Sequence, residues 1–304
     1  MIKLIQTALE LGLLQSLVVL ALLLSYRMLN VCDLSTDGCF TFGAAVGAVV
    51  TAAGFPGLSL LAGMAAGGLS GLVVGLLQTV LGMDSLLAVI VVNTGLYSVI
   101  IATLGGSSLL NLNGRETVFS QMKALLSGTF LEGFETLLVS GFVALLVIVL
   151  LQYFLRTRFG LSIRATGDNR AMVESSSINP VHTTLVGLVL SNMLTGLAGT
   201  LMAHSQKSVN VEMGSGILTV ALASLLIGER LLRTDSVFLK GVSCVLGAFL
   251  FRVVYMLALR LRLPAFMLKL TSAVIVAVAI VGPYLQEKRA QLRLRRQREE
   301  GPTC

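Results

Sequence analysis

The sequence predicts an all-α polytopic membrane protein. Apolar residues make up 55% of its 304 residues and charged residues only 12%, and the mean hydropathy is +0.90. These values lie far outside the range of soluble proteins. The apolar stretches are close to the roughly 20 residues that a helix needs to cross about 30 Å of hydrocarbon, whereas a β-barrel would show segments of about 10 residues with strict alternation. The spans are therefore expected to be helical.

Hydrophobic windows predict about nine transmembrane helices, some of them short or broken, within a transmembrane domain over residues 1–286. The span at 215–228 is shorter than a full crossing. It is interpreted either as a tilted or broken helix that lines a cavity or as an ordinary short span. The predicted spans lie near 11–29, 36–54, 58–81, 85–104, 136–155, 183–203, 215–228, 237–257 and 265–285.

The positions of Lys and Arg predict the orientation, because short loops rich in these residues stay cytoplasmic. With the amino terminus outside, the inner segments hold fourteen basic residues and the outer segments hold six. This orientation places the loop 156–182 and the tail 287–304 in the cytoplasm and the loop 105–135 outside. We interpret the basic tail as contacting anionic membrane lipid, with no nucleic acid as a partner.

Motifs for catalysis and for nucleotide binding are missing from the sequence. It contains no HExxH and no GxxxxGK[ST], and it has two histidines and four cysteines without metal-ligand spacing. We therefore expect a transport protein rather than an enzyme, with no metal and no cofactor in this chain. If ATP drives transport, a partner subunit binds the ATP and Mg²⁺.

The loop 156–182 is longer than a connection between two spans requires. Its middle predicts a short helix, with Asp168 as the N-cap and Pro180 stopping the segment that follows. Such a helix on the cytoplasmic face suggests a docking element. The alternative interpretation is a solvated basic loop that obeys the positive-inside rule.

Two aspartates, Asp33 and Asp37, stand at the start of the second span, which the predicted topology places at its inner end. They are interpreted as helix caps, since exposed N–H groups favour negative charge there. The alternative is that this helix begins inside the bundle and lines a path, where an ionisable group needs a partner or water. The candidate path residues are Asp33, Ser35, Asp37, Phe40, Thr41, Asn93, Tyr97 and Asn192.

Gly63, Gly67 and Gly71 recur every four residues and therefore share one face of the third span. Small residues let helix backbones approach closely in membranes. The face is interpreted either as packing against another helix of the same chain or as a seam between two copies.

Three separated motifs carry a family resemblance. They are "VCDLSTDGCFTFGAAVGA" (31–48), "GLSIRATGDNRAMVESSSINPVHTTLVGLVLSNMLTGLAGTLMAH" (160–204) and "ALASLLIGE" (221–229). Over about residues 10–285 the chain resembles permeases of the branched-chain amino acid and ribose class of ABC importers, and most closely their tryptophan/tyrosine-type subgroup. It departs from the class at Ser177, where Gly is usual, and in the long polar loop 105–135.

The resemblance implies a permease subunit in the bacterial inner membrane. A second permease copy, two ATP-binding subunits and an extracytoplasmic solute-binding protein would complete the importer. The alternative is a proton-coupled secondary transporter in which Asp33 or Asp37 carries the proton; a docking helix would be idle there. For the importer, the resemblance implies that these loop residues couple to the ATPase: Arg158, Gly160, Arg164, Ala165, Thr166, Gly167, Asp168 and Asn169.

Charges inside the predicted spans restrict the solute. Well inside a span the sequence places only Asp37, Arg252 and Lys269, so no cluster exists that would neutralise a phosphate. A zwitterion of modest polarity fits better, because helix ends and scattered hydroxyl and amide groups can meet its charges. We expect an amino acid with an apolar or aromatic side chain.

Overall fold

The structure is a computed structural model, and it describes residues 2–31, 33–126, 133–232, 236–260, 270, 272–278 and 281. A π-helical segment, Leu23–Met28, continues the first helix, and residues 272–278 are also helical. The helices are α1 (Ile2–Leu22), α2 (Thr36–Ala52), α3 (Pro56–Thr79), α4 (Ser85–Thr103), α5 (Val118–Leu126), α6 (Glu135–Arg156), α7 (Arg158–Asp168), α8 (Arg170–Ser175), α9 (Pro180–Gln206), α10 (Ile217–Leu231) and α11 (Val237–Leu259). The strands are β1 (Leu109–Asn111) and β2 (Ser208–Asn210).

Helices long and apolar enough to cross a membrane confirm the predicted fold class. Among the described residues there are six: Ile5–Met28, Pro56–Thr79, Ser85–Thr103, Glu135–Arg156, Pro180–Gln206 and Val237–Ala258. The predicted spans at 36–54 and 215–228 correspond to α2 and α10, which have 17 and 15 residues and are shorter than these six helices. Most of the predicted span 265–285 and the whole tail lie outside the described residues, so the count of about nine stays a prediction.

Helix α9 lies at the centre of the bundle, and α2 runs parallel to it. A Cβ atom at Gly43 of α2 would overlap the backbone of Gly196, and one at Gly47 would overlap the side chain of Thr200. The hydroxyl of Thr200 donates to the carbonyl oxygen of Gly43 at 2.9 Å. Glycine therefore sets the distance between the two helices.

Helix α3 packs antiparallel on another side of α9. The backbone of Asn192 lies against Gly67, and its Cβ lies 2.8 Å from the position that a Cβ of Gly71 would occupy. Gly63 similarly lies against Thr200. All three glycines thus pack on α9. This confirms the interpretation that the glycine face packs against another helix of the same chain.

Helix α2 begins near the middle of the bundle. The Asn192 side chain donates to Asp33 Oδ2 at 2.6 Å, and Asn192 lies about midway along the 27 residues of α9, roughly 20 Å from either end. The placement of the aspartates at the inner end of a span is therefore wrong. The chain turns back early because Asn30 adopts a left-handed conformation (φ 54°) just after the π-helical segment.

A two-stranded antiparallel ribbon joins the loop 105–135 to the end of α9. Strand β1 pairs with β2 in the register Leu109↔Asn210 and Asn111↔Ser208. At the same end of the bundle, Thr51 and Ser59 contact Nε2 of the buried His204 at 2.6 and 3.1 Å. These bonds connect the end of α2 and the start of α3 to α9.

Candidate functional site: a central cavity and a coupling segment

A cavity of about 310 Å³ lies where the start of α2, the middle of α4 and the segment before α10 meet. Four of the predicted path residues line it, so the fold brings together side chains from two predicted spans. The lining residues are Asp37, Gly38, Thr41, Asn93, Tyr97, Ile100, Val211, Glu212 and Ser215. Because Asp37 lies in the first turn of α2, which begins near the middle of the bundle, the cavity is also near the middle of the bundle.

The carboxylate of Asp37 caps α10. Its two oxygens accept hydrogen bonds from the backbone N–H groups of Gly216 and Leu218, both at 2.9 Å. Thr41 adds to this connection, since its hydroxyl oxygen accepts from the N–H of Gly214 at 3.0 Å. A helix start inside a membrane bundle has no bulk water for its free N–H groups, so a carboxylate is an effective partner. Asp37 is therefore a cap, but of α10 rather than of its own helix.

Two side chains of α4 form another wall of the cavity. The amide oxygen of Asn93 is buried without a hydrogen-bond partner, and a Cβ at Gly38 would overlap it. Tyr97 lies one turn further along α4 and is 55% exposed. The cavity thus combines acceptor oxygens, an aromatic ring and the apolar side chains of Ile100 and Val211.

The other predicted path residues do not line this cavity. Asp33 is 2% exposed and accepts from the backbone N–H of Ser35 at 2.9 Å as well as from Asn192. Phe40 is 1% exposed and packs in the main hydrophobic core. The side chains of Asp33, Ser35, Phe40 and Asn192 position the start of α2. Sequence reasoning missed two polar residues of the cavity, Glu212 and Ser215, which belong to the "EMGSG" segment before α10.

Metal binding has no support in this part of the chain. Among the described residues, no group of three or more His, Cys, Asp or Glu side chains could hold a metal ion.

The loop 156–182 contains two short helices, α7 and α8. The Thr157 hydroxyl caps α7 by accepting from the N–H of Gly160 at 3.2 Å, and Asn169 Oδ1 caps α8 by accepting from the N–H of Met172 at 3.1 Å. The prediction of Asp168 as N-cap is wrong, because α7 continues through Asp168 and the backbone becomes extended only at Asn169. Pro180 begins α9 rather than ending a helix.

One face of α7 packs on the rest of the chain. A Cβ at Gly160 would overlap the backbone of Phe154, and one at Gly167 would overlap the backbone carbonyl of Met28. The hydroxyls of Thr166 and Thr183 lie 2.8 Å apart. Helix α7 is therefore fixed to the π-helical segment and to the start of α9.

The predicted coupling residues divide between a packed and an exposed face. Arg158, Asp168 and Asn169 are exposed; Arg164, Ala165 and Gly167 are half-buried; Gly160 and Thr166 are buried. In α8, Met172 is 53% exposed while Val173 is buried. The exposed surface of the loop is therefore formed by side chains of α8, by the junction at Asp168–Asn169 and by the first turn of α7.

Comparison with known families identifies the class of protein. A family model described as branched-chain amino acid transport system, permease component, matches residues 4–281. The chain belongs to this permease family. The resemblance drawn from the three sequence motifs is confirmed, and the permease is a multi-pass membrane protein.

Individual relatives of the permease transport different solutes, according to their names. The tyrosine transport system permease protein of Clostridioides difficile (strain R20291) is 31% identical over 266 residues, which cover 87% of this chain and 86% of the relative. The autoinducer 2 import system permease protein LsrC of Escherichia coli O157:H7 is 26% identical over 62% of this chain and 52% of its own. The nucleoside ABC transporter permease protein NupC of Lactococcus lactis subsp. cremoris (strain MG1363) is 33% identical over 29% of each chain. No solved structure matches the permease.

Proposed function

We propose that this permease is the membrane subunit of an ATP-binding-cassette importer that moves an apolar or aromatic amino acid delivered by a solute-binding protein. The observation that carries the proposal is the central cavity, which lies within a bundle whose loop 156–182 presents two short helices to a partner. The family supports the permease role. The relative named for tyrosine transport supports the solute class, because it covers most of both chains.

The cavity suits the ammonium end and side chain of such a solute. The unbonded oxygen of Asn93 and the carboxylates of Asp37 and Glu212 supply acceptors and negative charge, and the ring of Tyr97 offers a face for an aromatic or apolar side chain. At about 310 Å³ the cavity is at the small end of the range for small-molecule sites. A phosphorylated solute fits poorly, since the described lining residues include no Lys or Arg.

Docking of the ATP-binding subunit is assigned to α8 and to the junction before it. Ala171 and Met172 are exposed there, flanked by an ion pair in which Arg170 Nε lies 3.5 Å from Glu174 Oε1. Movement of α7 would reach the cavity through Gly167, because Gly167 rests on the backbone of Met28 and Leu29. These residues precede α2, whose first turn holds the cavity residue Asp37. A proton-coupled transporter, the alternative function, would have no use for a helix that docks an ATP-binding subunit.

Replacing Met172 with glutamate should impair coupling without unfolding the permease. The side chain is exposed, so a charge there disturbs an apolar contact with a partner and little within the chain. We expect at least a tenfold loss of ATP-driven uptake and of permease-dependent ATPase stimulation in reconstituted complexes. Leu125→Glu is the matched control, since Leu125 is 78% exposed on α5, in the outer loop. Equal uptake by Met172→Glu and wild type would contradict the docking role.

Two copies of the permease should be present in the complex, oriented with the amino terminus outside and the carboxyl terminus in the cytoplasm of a bacterial inner membrane. Two ATP-binding subunits need two coupling segments, and α4, which lines the cavity, is an exposed helix that a second copy could cover. Native mass measurement of the detergent-extracted complex is expected to give two permease chains. A single permease chain per complex would contradict the proposal.

A further inference from the structure

A second cavity, also of about 310 Å³, lies between α1, α10, α11 and the helical residues 272–278. Its lining includes Gln15, Phe251, Arg252 and Tyr255. Ser215 lines both this cavity and the central one, so the two are neighbours at the start of α10.

Two polar side chains of this cavity have buried atoms without a hydrogen-bond partner among the described residues. Gln15 is only 2% exposed, and its amide oxygen forms no hydrogen bond. The Nε atom of Arg252 is likewise buried without a hydrogen-bond partner. Its guanidinium lies 5.6 Å from the centre of the Tyr255 ring, and no ion pair found among the described residues includes it.

A guanidinium within a membrane span is unfavourable unless it meets an anion, a polar partner or water. Attraction to one aromatic ring offsets only part of the cost of removing the cation from water. The start of α10 is not a second site for an anion, because its N–H groups at Gly216 and Leu218 already donate to Asp37. The space beside Arg252 therefore fits a small anionic group.

We propose that Arg252 and Gln15 form a subsite for the carboxylate of a small solute. The guanidinium donates hydrogen bonds to the carboxylate, and the amide oxygen of Gln15 accepts from a donor on the same solute, such as an ammonium group. Arg252 is the one cation among the described lining residues, which favours a monocarboxylate over a phosphate dianion. The inference rests on the proposed function in one respect: the carboxylate is that of the transported amino acid.

Thermal unfolding of the purified permease in detergent tests the subsite, because a ligand that binds only the folded state raises Tm. The probes are phenylalanine, 3-phenylpropionate, which lacks the ammonium group, and phenethylamine, which lacks the carboxylate. At 10 mM we expect the two carboxylates to raise Tm, and we expect phenethylamine, whose ammonium group and ring fit the central cavity, to respond alike in wild type and Arg252→Gln. Arg252→Gln should lower the affinity of the permease for both carboxylates at least tenfold. Lys240→Gln, on the same helix, should leave this affinity unchanged.

A second variant covers the case in which Arg252→Gln does not fold. Gln15→Met should weaken the binding of phenylalanine and leave the binding of 3-phenylpropionate unchanged, because only phenylalanine carries the ammonium donor. Stabilisation by neither carboxylate, or equal stabilisation of wild type and Arg252→Gln by 3-phenylpropionate, would overturn the subsite without touching the permease role. Stabilisation by 3-phenylpropionate through Arg252 would support the subsite even if ATP-driven uptake of aromatic amino acids failed.

Discussion

Replacing Asp37 with alanine should destabilise the permease by roughly 3–5 kcal/mol, because two charge-assisted hydrogen bonds to the start of α10 are lost together. The N–H groups of Gly216 and Leu218 would lose both carboxylate acceptors at a half-buried position. Asp37→Asn keeps one acceptor oxygen, so its effect should be intermediate. The measurement is the free energy of unfolding in detergent, together with uptake by the assembled complex.

Asp84→Ala is the matched control for this prediction. Asp84 Oδ1 also caps a helix, accepting from the N–H of Leu86 at 2.9 Å at the start of α4, but at an exposed position. Water can replace that cap, so its loss should cost about 1 kcal/mol. Equal destabilisation by the two substitutions would show that water replaces the Asp37 cap as readily as the exposed Asp84 cap, and would contradict the prediction.

Replacing Gly196 with leucine should prevent stable folding. A Cβ at Gly196 would overlap the carbonyl of Gly63 and lie 3.0 Å from the Cα of Gly67, so α3 would have to move away from α9. The backbones cannot move apart without disturbing α2, which packs on the same residue through Gly43. We expect a cost above about 3 kcal/mol, at or beyond the upper end of ordinary overpacking.

Yield and monodispersity after detergent extraction report this loss of folding. Gly57→Leu serves as the control, because Gly57 of α3 has nothing within 4 Å of its added Cβ. Folded Gly196→Leu protein with wild-type stability would mean that the central helices are not held at this separation.

The sequence predicted those features of the fold that depend on local pattern. The hydrophobic windows located the long helices, and the window at 215–228, predicted to be short, corresponds to the 15-residue helix α10. The four-residue spacing of Gly63, Gly67 and Gly71 predicted one packed face. Such patterns are visible because each depends on neighbouring residues of one helix.

Long-range contacts could not be predicted in the same way. Asp37 and Gly216 are 179 residues apart in the chain, so nothing local shows that one caps the helix of the other. A polar residue on its own helix start is normally assigned to that start. The ribbon of β1 and β2 was missed because three residues are too few to show an alternating pattern.

The error at Asp168 has a local cause. Asp168 and Asn169 are both suitable N-cap residues, and sequence alone does not show which one leaves the helical conformation. In the structure α7 continues through Asp168, and Asn169 takes the cap by accepting from the N–H of Met172.

ATP-driven uptake into proteoliposomes tests the account most directly. The vesicles would contain the permease, its ATP-binding subunit and the solute-binding protein, with radiolabelled solutes supplied outside. We expect uptake of tryptophan, tyrosine or phenylalanine that requires ATP and exceeds uptake of ribose and of a purine nucleoside. Uptake of ribose or nucleoside without any aromatic amino acid would contradict the solute class. Amino acid uptake driven by a proton gradient without ATP would contradict the importer itself.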